Sequence, residues 1–158
     1  MLEKFIAFLD GLGGKTGAAE EAANPEQLAA AALMFVVMDA DGVRQDEEIE
    51  KLRELLSEKF DIEGEALEGL VALGETAEAE SVDLYQFTSS IVKLTEHERI
   101  HFVELLWEVV FADGELHELE DNVVWRVSEL IGVSQRECVE ARRRVAAQLQ
   151  FKLGSDLP

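Results

Sequence analysis

Hydrophobic positions recur at helical spacing along almost the whole chain. Leu2, Phe5, Ile6 and Leu9 fall at i, i+3, i+4 and i+7, which predicts a short amphipathic helix over residues 1–10. Residues 11–23, with Gly13, Gly14 and Gly17, read as a flexible linker. The folded body begins at Asn24-Pro25, where Asn24 caps and Pro25 suits the first helical position, and this helix runs to about Met38. A second helix, about Asp46 to Phe60, turns Ile49, Leu52, Leu55 and Leu56 inward. A third, about 63–79, carries Leu67, Leu70, Val71 and Leu73, interrupted by Gly69 and Gly74. Asp83 caps a short helix through Tyr85 and Phe87 to Val92. Thr95 to Glu98 is a capping box that opens a helix ending at Phe111. The next, from about Glu118 to Ile131, carries Val123, Val124, Val127 and Leu130 and stops at Gly132. Ser134 to Glu137 is a second capping box, opening the last helix. No strand pair is evident. The expectation is an all-α bundle of seven to eight helices, with the domain over 24–150 and a C-terminal tail over 151–158.

Two of these helix–turn–helix units share a pattern 72 residues apart. Ala40-Asp41-Gly42 is followed by Glu48, and Ala112-Asp113-Gly114 by Glu120; the Asp-to-Glu spacing is seven in both. A hydrophobic helix leads into each. The bundle is therefore expected to contain two pseudo-repeated helix–acidic turn–helix units.

Charge gives these turns their chemical interest. The chain has 158 residues, 34 acidic against 14 basic, for a net charge of −20, yet 47% of it is hydrophobic, enough for a core. Between Asp39 and Glu80 stand 15 acidic and 4 basic residues. Such a surface repels nucleic acid and anionic lipid and concentrates cations. Arg142-Arg143-Arg144 is a basic run too short to reverse this. No apolar run approaches a membrane span, and the N-terminus lacks the pattern of a secretory signal, so a cytoplasmic protein without direct membrane insertion is expected. Cys138 is the one cysteine; Ala141, Val145 and Leu149 share its helix face, which marks it as a core thiol rather than a nucleophile.

The acidic turns admit two explanations. Asp-Gly after a helix supplies a helix stop and acceptors for the next helix start, and acids in a first turn suit the helix dipole. Asp41 with Glu48, and Asp113 with Glu120, also place paired carboxylates where they can converge on a cation, supplemented by Asp39, Asp46, Glu115, Glu118 and Asp121. Oxygen-only donors favour hard ions, Ca²⁺ first and Mg²⁺ or Mn²⁺ as alternatives. His117 would tilt the second turn towards a transition metal if it pointed inward. Neither turn is an EF-hand. Counted from Asp39, position five is Val43 and position six Arg44, and the second turn has Glu118 at position six, where glycine is required. His97-Glu98-Arg99-Ile100-His101 has the spacing of a zinc-protease pentapeptide, and Glu104 or Glu108 could add a ligand, but the chain is small and nothing suggests a peptide-binding strand, so a solvated helix face accounts for it better. No phosphate loop, dinucleotide fingerprint or nucleophile motif is present.

At these residues the chain resembles the TerB-like family, the tellurite-resistance TerB proteins and their relatives. The resemblance covers roughly residues 28–147 and is strongest from Leu105 to Ser134, where Trp107 to Asn122 and Trp125-Arg126-Val127 carry it. It implies an all-α fold with internal pseudo-symmetry and a cytoplasmic, stress-associated, non-enzymatic protein. It further implies metal binding through acidic residues at one pole, here Asp41, Glu48, Asp113 and Glu120, and work alongside membrane-embedded Ter-type partners. The expected function is that of a cation-binding adaptor or sensor. The rival is a metal-independent helical interaction module whose turns are only caps.

Overall fold

The computed structural model describes residues 24–40, 42, 46–81, 83–112 and 118–153. The expected N-terminal helix and linker lie outside them, as do residues 154–158. Among the described residues are seven helices and no strand: α1 (Pro25–Met38), α2 (Asp46–Phe60), α3 (Gly64–Glu80), α4 (Tyr85–Ile91), α5 (Glu96–Val110), α6 (Glu118–Leu130) and α7 (Gln135–Leu153). The last helix continues three residues beyond position 150, the end expected for the domain.

Local chemistry sets most of these boundaries. Asn24 Oδ1 accepts from the backbone N–H of Glu26 (2.8 Å) and Gln27 (3.3 Å), with Pro25 first in the helix. Asp83 Oδ1 accepts from Tyr85 N–H at 2.9 Å and launches α4. The Thr95 and Ser134 capping boxes are both formed. At the end of α6, Gly132 takes φ 81°, Val133 N–H reaches Ser128 O (2.9 Å), and Gly132 N–H reaches Glu129 O (3.2 Å), the paired bonds of a Schellman stop. Arg99 Nη1 donates to Ile131 O at 2.8 Å and ties the start of α5 to this stop.

Helix α1 is buried on nearly every side, from Leu28 to Phe35 and again at Val37 and Met38. A helix apolar all round belongs at the centre of a bundle, and α1 packs against α2, α3, α4, α5 and α6. It runs very near α3 at Gly74. Helix α5 is its counterpart, burying Phe102, Val103, Leu105, Leu106, Trp107, Val109 and Val110.

The sequence repeat is also a packing repeat. A shift of 72 residues carries Met38 to Val110 and Asp46 to Glu118, so the ends of α1 and α5, and the starts of α2 and α6, correspond residue for residue. The packing of α1 on α3 is matched by α5 on α7, α1 on α2 by α5 on α6, and α2 on α3 by α6 on α7. The units also exchange: α1 packs on α6, and α5 on α2. Helix α4 joins the halves, resting on α1 and touching α6. No described helix is long and apolar enough to cross a membrane.

Candidate metal centre

The two helix exits have the same backbone geometry. Asp39, after α1, has φ −92° and ψ 5°, and its N–H donates towards the carbonyls of Phe35 and Val37. Phe111, after α5, has φ −88° and ψ 3°, and donates towards Trp107 and Val109, which are the same positions shifted by 72. Ala40 N–H then reaches Val37 O (3.3 Å) and Ala112 N–H reaches Val109 O (3.2 Å). In the first turn Gly42 bonds back to Asp39 O at 3.0 Å with φ 79°, a left-handed conformation that other residues adopt at a cost.

Beyond the turns, Glu48 and Glu120 each occupy the third position of their helix, and each is 0% exposed. Their acidic neighbours Asp46, Glu47 and Glu118 are exposed. The difference follows from helix phase. Glu48 heads the inward stripe Glu48, Leu52, Leu55, Leu56; Glu120 heads Glu120, Val124, Val127, Ser128. An uncompensated buried carboxylate costs several kcal/mol. The free N–H groups and positive dipole end of a helix start offset part of this, and both carboxylates are engaged in interactions within the folded chain. Capping alone does not demand such burial. Glu98 and Glu137 hold the same third position in α5 and α7 and accept from Thr95 and Ser134, yet Glu98 is exposed and Glu137 only half-buried.

The other candidate ligands that are described form no metal-holding cluster with Glu48 or Glu120. Asp39 is half-buried at the α1 exit. Asp121 is half-buried and directed to Arg142. Asp41, Asp113, Glu115 and His117 lie outside the described residues, so their convergence with Glu48 and Glu120 is an expectation. Among the described residues no group of three or more His, Cys, Asp or Glu side chains is arranged to hold a metal. What they do supply is one fully buried carboxylate per turn, a donor type that suits hard cations. Ca²⁺ takes about 6–8 oxygens, waters and backbone carbonyls included, so one carboxylate per turn is a small part of a full shell.

Sequence reasoning missed the aromatic–arginine group beside the second turn. Trp107 stacks on Phe111 (6.0 Å, 19°) and meets Trp125 edge-on (5.8 Å, 78°). The Arg142 guanidinium of α7 covers both Trp107 (5.4 Å) and Phe111 (5.5 Å), and its Nη2 is 3.5 Å from Asp121 Oδ2. A signal was present: Arg142 follows Ala141 on the border of the Cys138–Ala141–Val145 core stripe, so it is turned towards α5 rather than into bulk solvent.

The histidine pentapeptide is an exposed helix start. Glu98 serves as capping acid: the Thr95 hydroxyl and backbone N–H hold its carboxyl below its ordinary value. His101 is 51% exposed, with Nδ1 3.4 Å from Glu104, which Arg144 also engages at 2.6 Å. Cys138 is buried as expected; burial raises its thiol pKa, opposed by a 3.2 Å hydrogen bond from Ser128 Oγ.

Comparison with known proteins agrees with this architecture. A family model described as tellurite resistance protein TerB matches residues 27–143, from the start of α1 into α7. No curated protein and no solved structure shows significant similarity to the chain. With the match spanning both helix–turn–helix units and most of the sequence, the chain belongs to the TerB family of tellurite-resistance proteins.

Proposed function

We propose that this protein is a non-enzymatic, cytoplasmic stress-response protein of the tellurite-resistance type that binds divalent cations through its paired acidic turns and acts as an adaptor or sensor. The observation that carries this reading is the identical placement of Glu48 and Glu120, each wholly buried at the same position of a repeated unit. Two buried acids at symmetry-related places, each seven residues after an Asp, are a costly arrangement for turns that serve only as connectors. Asp41 and Asp113 supply the outer donors, Glu48 and Glu120 the inner ones. Ca²⁺ suits such an oxygen set best, with Mg²⁺ and Mn²⁺ as competitors. Neutralising the carboxylates shifts helix starts on both sides of the core, where α1 meets α6 and α5 meets α2. That shift is the signal read by a protein partner, a membrane-embedded Ter-type protein being the natural choice for the family.

The rival, a metal-independent interaction module, is favoured by one observation: this chain demonstrably uses a third-position Glu as a helix cap at Glu98 and Glu137. Calorimetric titration of metal-free protein separates the two. Saturable binding of Ca²⁺ that disappears in the Asp41→Asn/Asp113→Asn double variant supports the cation reading. Binding that is absent, or unchanged in the double variant, leaves the cap reading standing.

A further inference from the structure

Between the end of α6 and the start of α7 lies a hollow of about 550 Å³, within the size range of small-ligand sites. Trp125, Ser128 and Glu129 line it from α6, Gly132 and Val133 from the stop, and the rest of the lining is the start of α7. Trp125 and Val133 give it apolar surface, and Glu129 is the one ionisable side chain in the lining. The Ser128 hydroxyl is already engaged with Val124 O (2.8 Å) and Cys138 Sγ (3.2 Å). At the α7 side, the Ser134 N–H already meets a carboxylate, that of Glu137, at 3.0 Å. The hollow also sits at the C-terminal, negative end of α6, which favours positive charge. Arg99 shows that this helix end accepts a guanidinium: its Nη1 is 2.8 Å from Ile131 O.

The first unit holds its own cations at the corresponding place. Seventy-two residues before Trp125, Ile131 and Gly132 stand Arg53, Lys59 and Phe60. Arg53 pairs with Glu68 at 3.0 Å, and the Lys59 ammonium lies 5.7 Å from the centre of the Phe60 ring. In the second unit an aromatic ring and an isoleucine replace these two charges, and glycine replaces the Phe60 side chain. The last turn of α6 carries no basic residue.

We propose that the α6–α7 hollow binds an organic cation, a guanidinium or ammonium group on a short apolar stem. The stem lies along Trp125 and Val133, and the charge is held by the Trp125 ring, the Glu129 carboxylate and the end of α6. The ligand supplies from outside the positive charge that Arg53 and Lys59 supply within the first unit. None of the residues assigned to the acidic turns lines the hollow, so this site is independent of the cation reading above.

The test follows the two indole N–H resonances of the full-length protein, with Trp125→Phe to assign them. About 150 mM salt screens diffuse attraction to the charged surface. The probes are n-butylguanidinium, its neutral near-isostere n-butylurea, and N-acetylarginine methylamide, which carries the same group on a peptide unit. The expected result is a saturable shift of the Trp125 resonance with the guanidinium probes. The midpoint should rise by about fivefold with butylurea, and equally in Glu129→Gln, an exposed position that folding tolerates. Glu65→Gln makes the same change in net charge at an exposed position of α3 and should stay within about twofold of the unaltered protein. Tighter binding of butylguanidinium assigns the site to a free small cation, and tighter binding of the arginine derivative to a basic side chain of a partner; either supports the site. Equal midpoints for butylurea and butylguanidinium, equal effects of the Glu129 and Glu65 variants, or no saturable shift with any probe would overturn it.

Discussion

A Cβ added at Gly74 would stand 2.6 Å from the Cβ of Ala31 and 3.1 Å from its carbonyl carbon. Helices α1 and α3, which pack extensively on each other, thus pass here with almost nothing between their backbones. Gly74→Ala is expected to destabilise the fold by about 1–3 kcal/mol through overpacking. Gly69, on the same helix, has no atom within 4 Å of such a Cβ. Gly69→Ala should instead stabilise by about 0.5–1 kcal/mol, because the gain in helix propensity meets no clash. Denaturant unfolding of the two variants side by side checks both signs.

After α2 the chain turns through Asp61, whose φ of 53° is the one left-handed conformation of a non-glycine among the described residues. Ile62 N–H bonds to Ser57 O at 3.2 Å, and Ser57 Oγ donates to Ile62 O at 2.6 Å, so the conformation is locked from both sides. The corresponding stop after α6 uses Gly132. Asp61→Gly should raise stability by roughly 0.5–1 kcal/mol, by relieving the left-handed penalty at the expense of some chain entropy. A lower unfolding midpoint would contradict this account of the turn.

Acid should loosen the second half of the bundle through its caps. The carboxyls of Glu98 and Glu137 lie below their ordinary value of 4.5, the first held by the Thr95 hydroxyl and backbone N–H, the second by the backbone N–H and hydroxyl of Ser134. A carboxyl whose folded-state pKa is lowered contributes stability that is complete above the unfolded-state value and disappears as pH falls through the folded-state value. The loss is therefore expected below about pH 4.5, and little change from these groups between pH 6 and 8. Glu98→Gln/Glu137→Gln should flatten that acid limb of the stability profile, measured by thermal unfolding at a series of pH values.

The Cys138 thiol, buried among Ser128, Ala141 and Trp107 and raised in pKa by that burial, should resist alkylation in the folded protein. Its labelling rate should track the opening of the α6–α7 pair and rise in step with denaturant-induced unfolding. Fast labelling under native conditions would show that this pair opens independently of the core.

Much of the fold was legible because its signals are local. Asn24-Pro25, Thr95 to Glu98 and Ser134 to Glu137 are start sites whose hydrogen bonds close within three residues, and the structure forms all of them. The burial of Glu48 and Glu120 was harder to read. Asp46, Glu47 and Glu48 look alike as a run of acids, and only the register with Leu52, Leu55 and Leu56 sets Glu48 inward. That register takes effect only once α1 and α5 exist as a surface for α2 to cover. Arg142 was hard to read for the same reason. Its place on the border of the core stripe sets it apart from Arg143 and Arg144, but the rings it covers, Trp107 and Phe111, are brought to it only by the packing of α5 on α7.

The most direct test of the central claim is thermal unfolding of chelator-stripped protein in about 150 mM salt, which screens diffuse attraction to a charged surface, with Ca²⁺, Mg²⁺ and Mn²⁺ added separately. A ligand that binds only the folded state raises the midpoint saturably. The account predicts such a rise, largest for Ca²⁺, and its loss in the near-isosteric Glu48→Gln/Glu120→Gln double variant. A flat response, or a small rise shared by every ion and kept by the double variant, would contradict it and leave the acidic turns as helix caps on a highly charged surface.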